Sequence, residues 1–336
     1  MALKWGVAGA GRISHDFVTA VQTYPKSDHV FTAVAARSKA SAEKFAKDHS
    51  IPQSYEGYLG LAQDRNVDIV YVGNLNPQHF ETTKMMLEHG KHVLCEKPFT
   101  MNEKQTRRLY QIAQEKKLFL MEAIWSRFFP ATMEMKRLID SGAIGEVLHA
   151  SVHFGHQIDH VDRITAMDLG GGAILDLGVY ILQFQQYVFR NLKPIKIVIN
   201  GHVNKFGTDE SCGAVITYPE GKMAVVSTST RLKLPNEGIV VGTKGTLRLP
   251  DFWCPDKLIM PDGSVKTYPL PVSSVPFLHH NSAGLCYQAE EARQCIKKGK
   301  IECPHIPHAE SIELARLMDL FRKEVGVAYP EDSQEF

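Results

Sequence analysis

Apolar runs and amphipathic helical faces alternate through the first third of the chain. Leu3 to Gly9 reads as a strand, and the helix after it carries Ile13, Phe17, Ala20 and Val21 at spacings of 4, 7 and 8, one face of a 3.6-residue repeat. Val30 to Ala36 is a second strand, Ser41 to His49 a short amphipathic helix, and Asp68 to Gly73 a third strand. A helix through Thr82 to His89 stops at Gly90, the residue type that tolerates the left-handed conformation past a helix end. His92 to Cys95 forms the next strand, a helix capped by Asn102 runs to about Lys117, and Leu118 to Glu122 closes the series. Strands separated by helices predict an α/β, doubly wound parallel sheet with helices on both faces.

After Trp125 the period changes. A helix spans roughly Ala131 to Asp140, Glu146 to Phe154 reads as a strand, and a second helix runs from near Gly172 to about Phe189. Between Ile195 and Pro271 short alternating segments recur, separated by turn signals such as Pro219-Glu220-Gly221 and Pro261-Asp262-Gly263. They predict a large, mainly antiparallel open sheet with helices on one face, an α+β domain. Helices over Ala283 to Lys298 and His308 to Gly326 end the chain. The expected domains are 1–125 and 126–336. A one-sided sheet leaves a face to be covered. Val198, Val215, Val226 and Val240 are available to either face, and the same face of a second subunit would cover it, giving an isologous homodimer.

Composition narrows the partners. The 336 residues are long for a single core, and a net charge of +1 argues against a nucleic-acid or membrane surface. No run approaches 18 apolar residues, and the N-terminus enters a strand at once, with no room for a signal peptide. The six cysteines form no CxxC pair and read as free thiols, so a reducing, cytoplasmic location is expected.

Chemistry enters at the first turn. Gly9-Ala10-Gly11-Arg12-Ile13-Ser14 lies directly between a strand and an amphipathic helix. There Gly9 allows a tight turn and Gly11 lets the backbone approach a pyrophosphate. The amides at Arg12 and Ile13 open the helix as an anion site, and Ser14 stands in for the third glycine. This makes 1–125 a dinucleotide-binding Rossmann domain and leaves 126–336 for substrate binding and dimerisation. The second strand ends in Ala35-Ala36-Arg37-Ser38 with no acid before Glu43. Arg37 offers a planar fork for a 2′-phosphate and Ser38 a hydroxyl, so NADP is favoured over NAD.

The reacting groups are expected at two places. Glu96-Lys97-Pro98 follows a buried strand, at the carboxyl end where ligands bind in open α/β sheets. Gly170-Gly171-Gly172 opens a helix on which Asp176 and Tyr180, four apart, share one face. A free tyrosine has a pKa of about 10, too high for a base at neutral pH. An ammonium ~4 Å away at an effective dielectric near ~20 would favour the phenolate by ~4 kcal/mol, bringing it to about 7. Tyr180 is then the acid/base, Lys97 its tuning cation, and Asp176 the group that orients a substrate hydroxyl. His153, His156 and His160 fit no zinc spacing, and hydride transfer needs no metal, so none is expected.

The Gly-x-Gly turn, Glu96-Lys97-Pro98, and the glycine run leading to Asp176 and Tyr180 resemble the Gfo/Idh/MocA oxidoreductases over nearly the whole chain. Further shared stretches are Val93-Leu94-Cys95, Phe119 to Trp125, Arg127-Phe128-Phe129-Pro130 and Gly242-Thr243-Lys244-Gly245. Most members end the helix motif in histidine, and the tyrosine here is similar to the members acting on dihydrodiols and sugars. The resemblance implies an NADP-dependent dehydrogenase in the cytoplasm and a dimer through the open sheet. It also implies a cis Lys97-Pro98 bond and, as substrates, trans-dihydrodiols of aromatic hydrocarbons, D-xylose and related aldopyranoses. Matching positions place His79, Trp125, Arg127 and Phe154 in the substrate pocket, with Trp253 and Phe277 beside them. Asn76 stands where the nearest members carry histidine. The competing readings are a member acting on another polyol, sugar or imine, and a non-catalytic NADP sensor.

Overall fold

The computed structural model describes residues 2–335, which form two compact units. Unit 1 holds the chain up to Trp125 together with Leu270–Ile312, and unit 2 holds Ser126–Pro269 and Glu313–Glu335. The chain passes from unit 1 to unit 2 between Trp125 and Ser126 and returns to unit 1 over 270–312. The segment after the second sheet packs with unit 1, because α1 (Arg12–Val21) buries a face against α9 (Leu285–Lys297).

Unit 1 is built on six parallel strands in the order β3-β2-β1-β4-β5-β6. They are β1 (Leu3–Ala8), β2 (His29–Ala36), β3 (Gln53–Glu56), β4 (Ile69–Val72), β5 (His92–Glu96) and β6 (Leu120–Ala123). The helices between them are α1, α2 (Lys39–His49), α3 (Leu59–Gln63), α4 (His79–Glu88) and α5 (Glu103–Lys116). β4 is buried throughout and β5 at all but its first residue, as a sheet covered on both faces requires. β3 and α3 were not expected. β3 is a short edge strand without a fully buried position, so it carries no apolar period to read. Asn102 caps α5 by accepting the Gln105 N–H at 3.0 Å, and Gly90 after α4 is left-handed, both as the sequence predicts.

Unit 2 holds eight strands in the order β14-β13-β12-β11-β7-β10-β9-β8. In chain order they are β7 (Val147–Gly155), β8 (Lys196–Val203), β9 (Asp209–Thr217), β10 (Met223–Ser229), β11 (Glu237–Gly242), β12 (Gly245–Pro250), β13 (Lys257–Ile259) and β14 (Val265–Thr267). All neighbours are antiparallel except β7 and β10. α6 (Pro130–Asp140) packs on β12 and β13, and α8 (Val179–Val188) on β7 and β10. Ala214, Ile216, Val226, Val152, Val240 and Leu247 are buried on the sheet. The opposite face carries a register-aligned row, Val198-Val215-Val225-Ser151-Ile239-Arg248, with Val198 55% and Val215 40% exposed. Of the four valines open to either face, Val198 and Val215 therefore lie outward and Val226 and Val240 inward. α7 (Asp162–Thr165) and α10 (His308–Val325) complete the helices, and all six cysteines are buried and outside any disulfide.

Candidate active site

In unit 1 the first turn is shaped for an anion. Gly9 has φ +112°, and a Cβ there would meet the backbone of Gly73 and Asn74 at 2.9 Å, so only glycine fits. Gly11 has a different reason. It is the N-cap of α1 in extended conformation, with no side chain capping the helix, and a Cβ there would meet nothing closer than Gly73 O at 3.9 Å. The protein leaves that space open above the first-turn amides, which fits a pyrophosphate on Gly11, Arg12 and Ile13. A Cβ on Gly73 would stand 2.7 Å from Ser14 Oγ, so glycine at 73 makes room for the side chain at the third position of the turn. At the end of β2, Arg37 is exposed, Lys39 pairs with Glu43 at 3.8 Å, and the exposed Glu56 of β3 stands opposite Ala36. Ser38 N-caps α2 by accepting the Ser41 N–H at 3.3 Å.

A second anchor was not foreseen. Asp16, buried on α1, accepts the backbone N–H groups of Leu278 at 2.8 Å and His279 at 2.9 Å, and the His279 ring at 2.8 Å. Burial alone would raise its pKa, but these bonds outweigh it and hold the carboxyl below its usual range. Arg12 Nη2 donates to Leu278 O at 3.4 Å, so the segment carrying Phe277 is fixed beside the start of α1.

At the end of β5, Lys97-Pro98 is cis. The buried Glu96 accepts the Tyr71 hydroxyl at 2.7 Å and the Lys97 N–H at 3.2 Å. Burial pushes the Glu96 carboxyl up, against the Tyr71 bond and the Lys97 charge. Tyr71 is in turn stacked on Phe17 at 3.8 Å. His79 lies beneath this turn, fully buried, with Nδ1 2.8 Å from Pro98 O and Nε2 3.1 Å from Asn74 O. Its pKa is lowered, chiefly by burial, so the ring is neutral and braces the backbone behind Lys97. Trp125, the last residue of this stretch of unit 1, is buried.

In unit 2 the glycine run serves close approach rather than flexibility. A Cβ on Gly171 would stand 2.5 Å from Ile164 O, and one on Gly172 (φ +118°) 2.5 Å from Asp209 Oδ1. Gly172 N–H donates to Ile164 O at 2.8 Å and Gly171 N–H to Ala166 O at 3.0 Å, which fastens α7 against the run. Asp209, whose carboxyl burial pushes up to about 6, accepts the Ile174 N–H at 2.6 Å. The helix opens as a π turn, Ile174–Gly178, before α8, a local form often found at functional sites. Asp176, within this turn, and Tyr180, just after it, are both buried, at 7% and 5% exposure.

What surrounds this pair defines its chemistry. Arg163 Nη1, from the fastened α7, donates to Asp176 Oδ1 at 2.9 Å. The Arg163 pKa is raised, first by the Asp176 charge and also by Tyr180, so the guanidinium favours both anions in return. Phe154 meets the Tyr180 ring edge-on at 5.4 Å, and Trp253 lies against Phe154 at 4.7 Å, an aromatic wall beside the phenol. Arg127 is fully buried: Nε donates to Gln183 Oε1 at 3.0 Å, and its guanidinium covers the Tyr187 ring at 4.7 Å. That engages Arg127 with α8, whereas it was expected to line a pocket. Sequence reasoning missed Arg163, Tyr71, Asp16 and Asp209. A tyrosine inside the apolar strand Ile69–Val72 was a signal, since a buried hydroxyl needs a partner. Arg163, in a polar loop, gave none.

Two family models match. One, described as an oxidoreductase family with an NAD-binding Rossmann fold, covers residues 3–124, and the GFO/IDH/MocA C-terminal domain covers 132–248. Curated relatives include a trans-1,2-dihydrobenzene-1,2-diol dehydrogenase of Danio rerio, 42% identical over 99% of this chain and 100% of that protein. One from Homo sapiens of the same name is 39% identical over 99% and 100%. The solved 3-ketoreductase KijD10 of Actinomadura kijaniata, in complex with NADP and TDP-benzene, superposes with a TM-score of 0.81 at 25% identity, covering 98% of this chain and 99% of that one. A Rossmann domain with an anion-shaped first turn, a second mainly antiparallel sheet and full-length relatives agree, and the chain belongs to the Gfo/Idh/MocA family of oxidoreductases.

Proposed function

We propose that the protein is an NADP-dependent dehydrogenase of secondary and anomeric alcohols, with trans-dihydrodiols, D-xylose and related aldopyranoses as substrates. The observation that carries it is the Asp176–Tyr180 pair, buried beside a guanidinium and an aromatic wall. When bound, NADP supplies the hydride acceptor. Tyr180, as phenolate, takes the hydroxyl proton at its Oη and returns it in the reverse direction. Asp176, held by Arg163, accepts a substrate hydroxyl and orients it, while Phe154 and Trp253 offer a face for a flat diol or a sugar ring. Lys97, braced by Glu96 and His79, is the ammonium that tunes Tyr180. Arg37 takes the 2′-phosphate.

The relatives' names support the dihydrodiol substrate, and the exposed Arg37, directly after β2, supports NADP. The assembly we infer is a homodimer through the outward row Val198 to Arg248, and six cysteines outside any disulfide support a cytoplasmic location. The test is formation of reduced nicotinamide, followed by absorbance, with trans-benzene dihydrodiol, D-xylose and an inositol, each with NADP and NAD. Turnover of either of the first two with NADP is expected. Turnover of the inositol alone, or of none while NADP still binds, would overturn the substrate assignment.

A further inference from the structure

Unit 1 brings two of the six cysteines together with one carboxylate. Glu291 and Cys295 are one turn apart on α9, so both side chains leave the same face. Cys303 reaches them from a tight turn closed by Ile306 N–H to Cys303 O at 3.2 Å. That turn is tied to the first residue of β6: Leu120 N–H donates to Ile301 O at 3.1 Å, and His308 Nε2 is 3.0 Å from Leu120 O. Dinucleotides bind at the carboxyl ends of parallel strands. The cluster sits at the amino end of β6, away from that edge, and takes no part in hydride transfer.

Its dimensions suit a tetrahedral ion. Cys295 Sγ is 3.5 Å and Cys303 Sγ 3.9 Å from Glu291 Oε1, and the three atoms all lie within 4.8 Å of one another. Tetrahedral zinc, with Zn–S about 2.3 Å and Zn–O about 2.0 Å, separates sulfur from oxygen by about 3.5 Å. Two thiolates select a soft or borderline cation over magnesium or calcium. Cys295 and Cys303 are 2% and 0% exposed, whereas the half-buried Glu291 leaves a side for water. Among the described residues this is the one group of its kind.

We propose that Glu291, Cys295 and Cys303 form a zinc site, completed by water, that staples the last turn of α9 to the 301–306 turn. Binding sends both thiol protons to solvent, so affinity rises with pH. The test equilibrates the full chain, reduced, with Zn²⁺, removes free metal by dialysis and measures bound zinc. One zinc per chain is expected in the wild type and none in Cys303→Ser. With Co²⁺ in place of zinc, the wild type should show a thiolate charge-transfer absorption that the variant lacks. Should Cys303→Ser fail to fold, Glu291→Gln keeps both buried thiols and should weaken zinc at least ~10-fold. Equal zinc in wild type and variants (adventitious zinc only), no retained zinc, or a Cys295–Cys303 disulfide in the mass of the native chain would each overturn the site. None of these readouts depends on turnover, so the result stands apart from the proposed reaction.

Discussion

Arg163 Nη1 donates to Asp176 Oδ1 at 2.9 Å, and this bond orients the carboxylate on the π turn. A charge-assisted hydrogen bond of this kind contributes roughly 1.5–3 kcal/mol. Arg163→Met should therefore lower kcat/KM about 10- to 100-fold, leave NADP affinity unchanged, and be partly rescued by Arg163→Lys. Steady-state kinetics with direct cofactor titration measure both, and a matching loss of NADP affinity would show a general structural effect instead.

Tyr180→Phe removes the hydroxyl and keeps the ring that meets Phe154 edge-on. A positioned acid/base contributes about 10²- to 10⁴-fold. Turnover should fall by at least that much with cofactor binding nearly intact. Retained turnover would remove Tyr180 from proton transfer.

Arg37 is exposed at the end of β2 and directly follows Ala36, the register partner of Glu56. Arg37→Asp replaces an attractive fork with a repelling charge and should weaken NADP about 100-fold while NAD changes little. Equal losses for both cofactors would count against a 2′-phosphate contact.

Asp16 ties α1 to Leu278 and His279. Its folded-state pKa lies below the ordinary 3.8. A depressed carboxyl contributes stability that is fully present above the unfolded pKa and is lost as pH falls through the folded one. Denaturant titrations at several pH values should show the wild type losing stability below pH ~4. Asp16→Asn, less stable at neutral pH, should lose less over the same range. An unchanged acid limb in the variant would assign the loss to other groups.

Legibility followed distance along the chain. The anion turn at Gly9 and Gly11, the cap at Asn102, the left-handed Gly90 and the two sheet types depend on residue types within a few positions, and these were readable. The reason for Gly171 and Gly172 was not, because the atoms they make room for belong to Ile164 and to the distant Asp209. The partner of Arg127 was equally out of reach: Gln183, 56 residues on, takes its Nε–H.

By itself the sequence determined where strands and helices alternate, where an anion can meet a helix start, and which groups are able to move a proton, because hydrophobic period and side-chain chemistry are local. Only the tertiary structure decided which partners set those groups. Tyr71 reaches Glu96 across 25 residues and His279 reaches Asp16 across 263, and no local pattern encodes such pairs. They form because each group, once buried, must find a hydrogen-bond partner, and folding determines which one lies within reach.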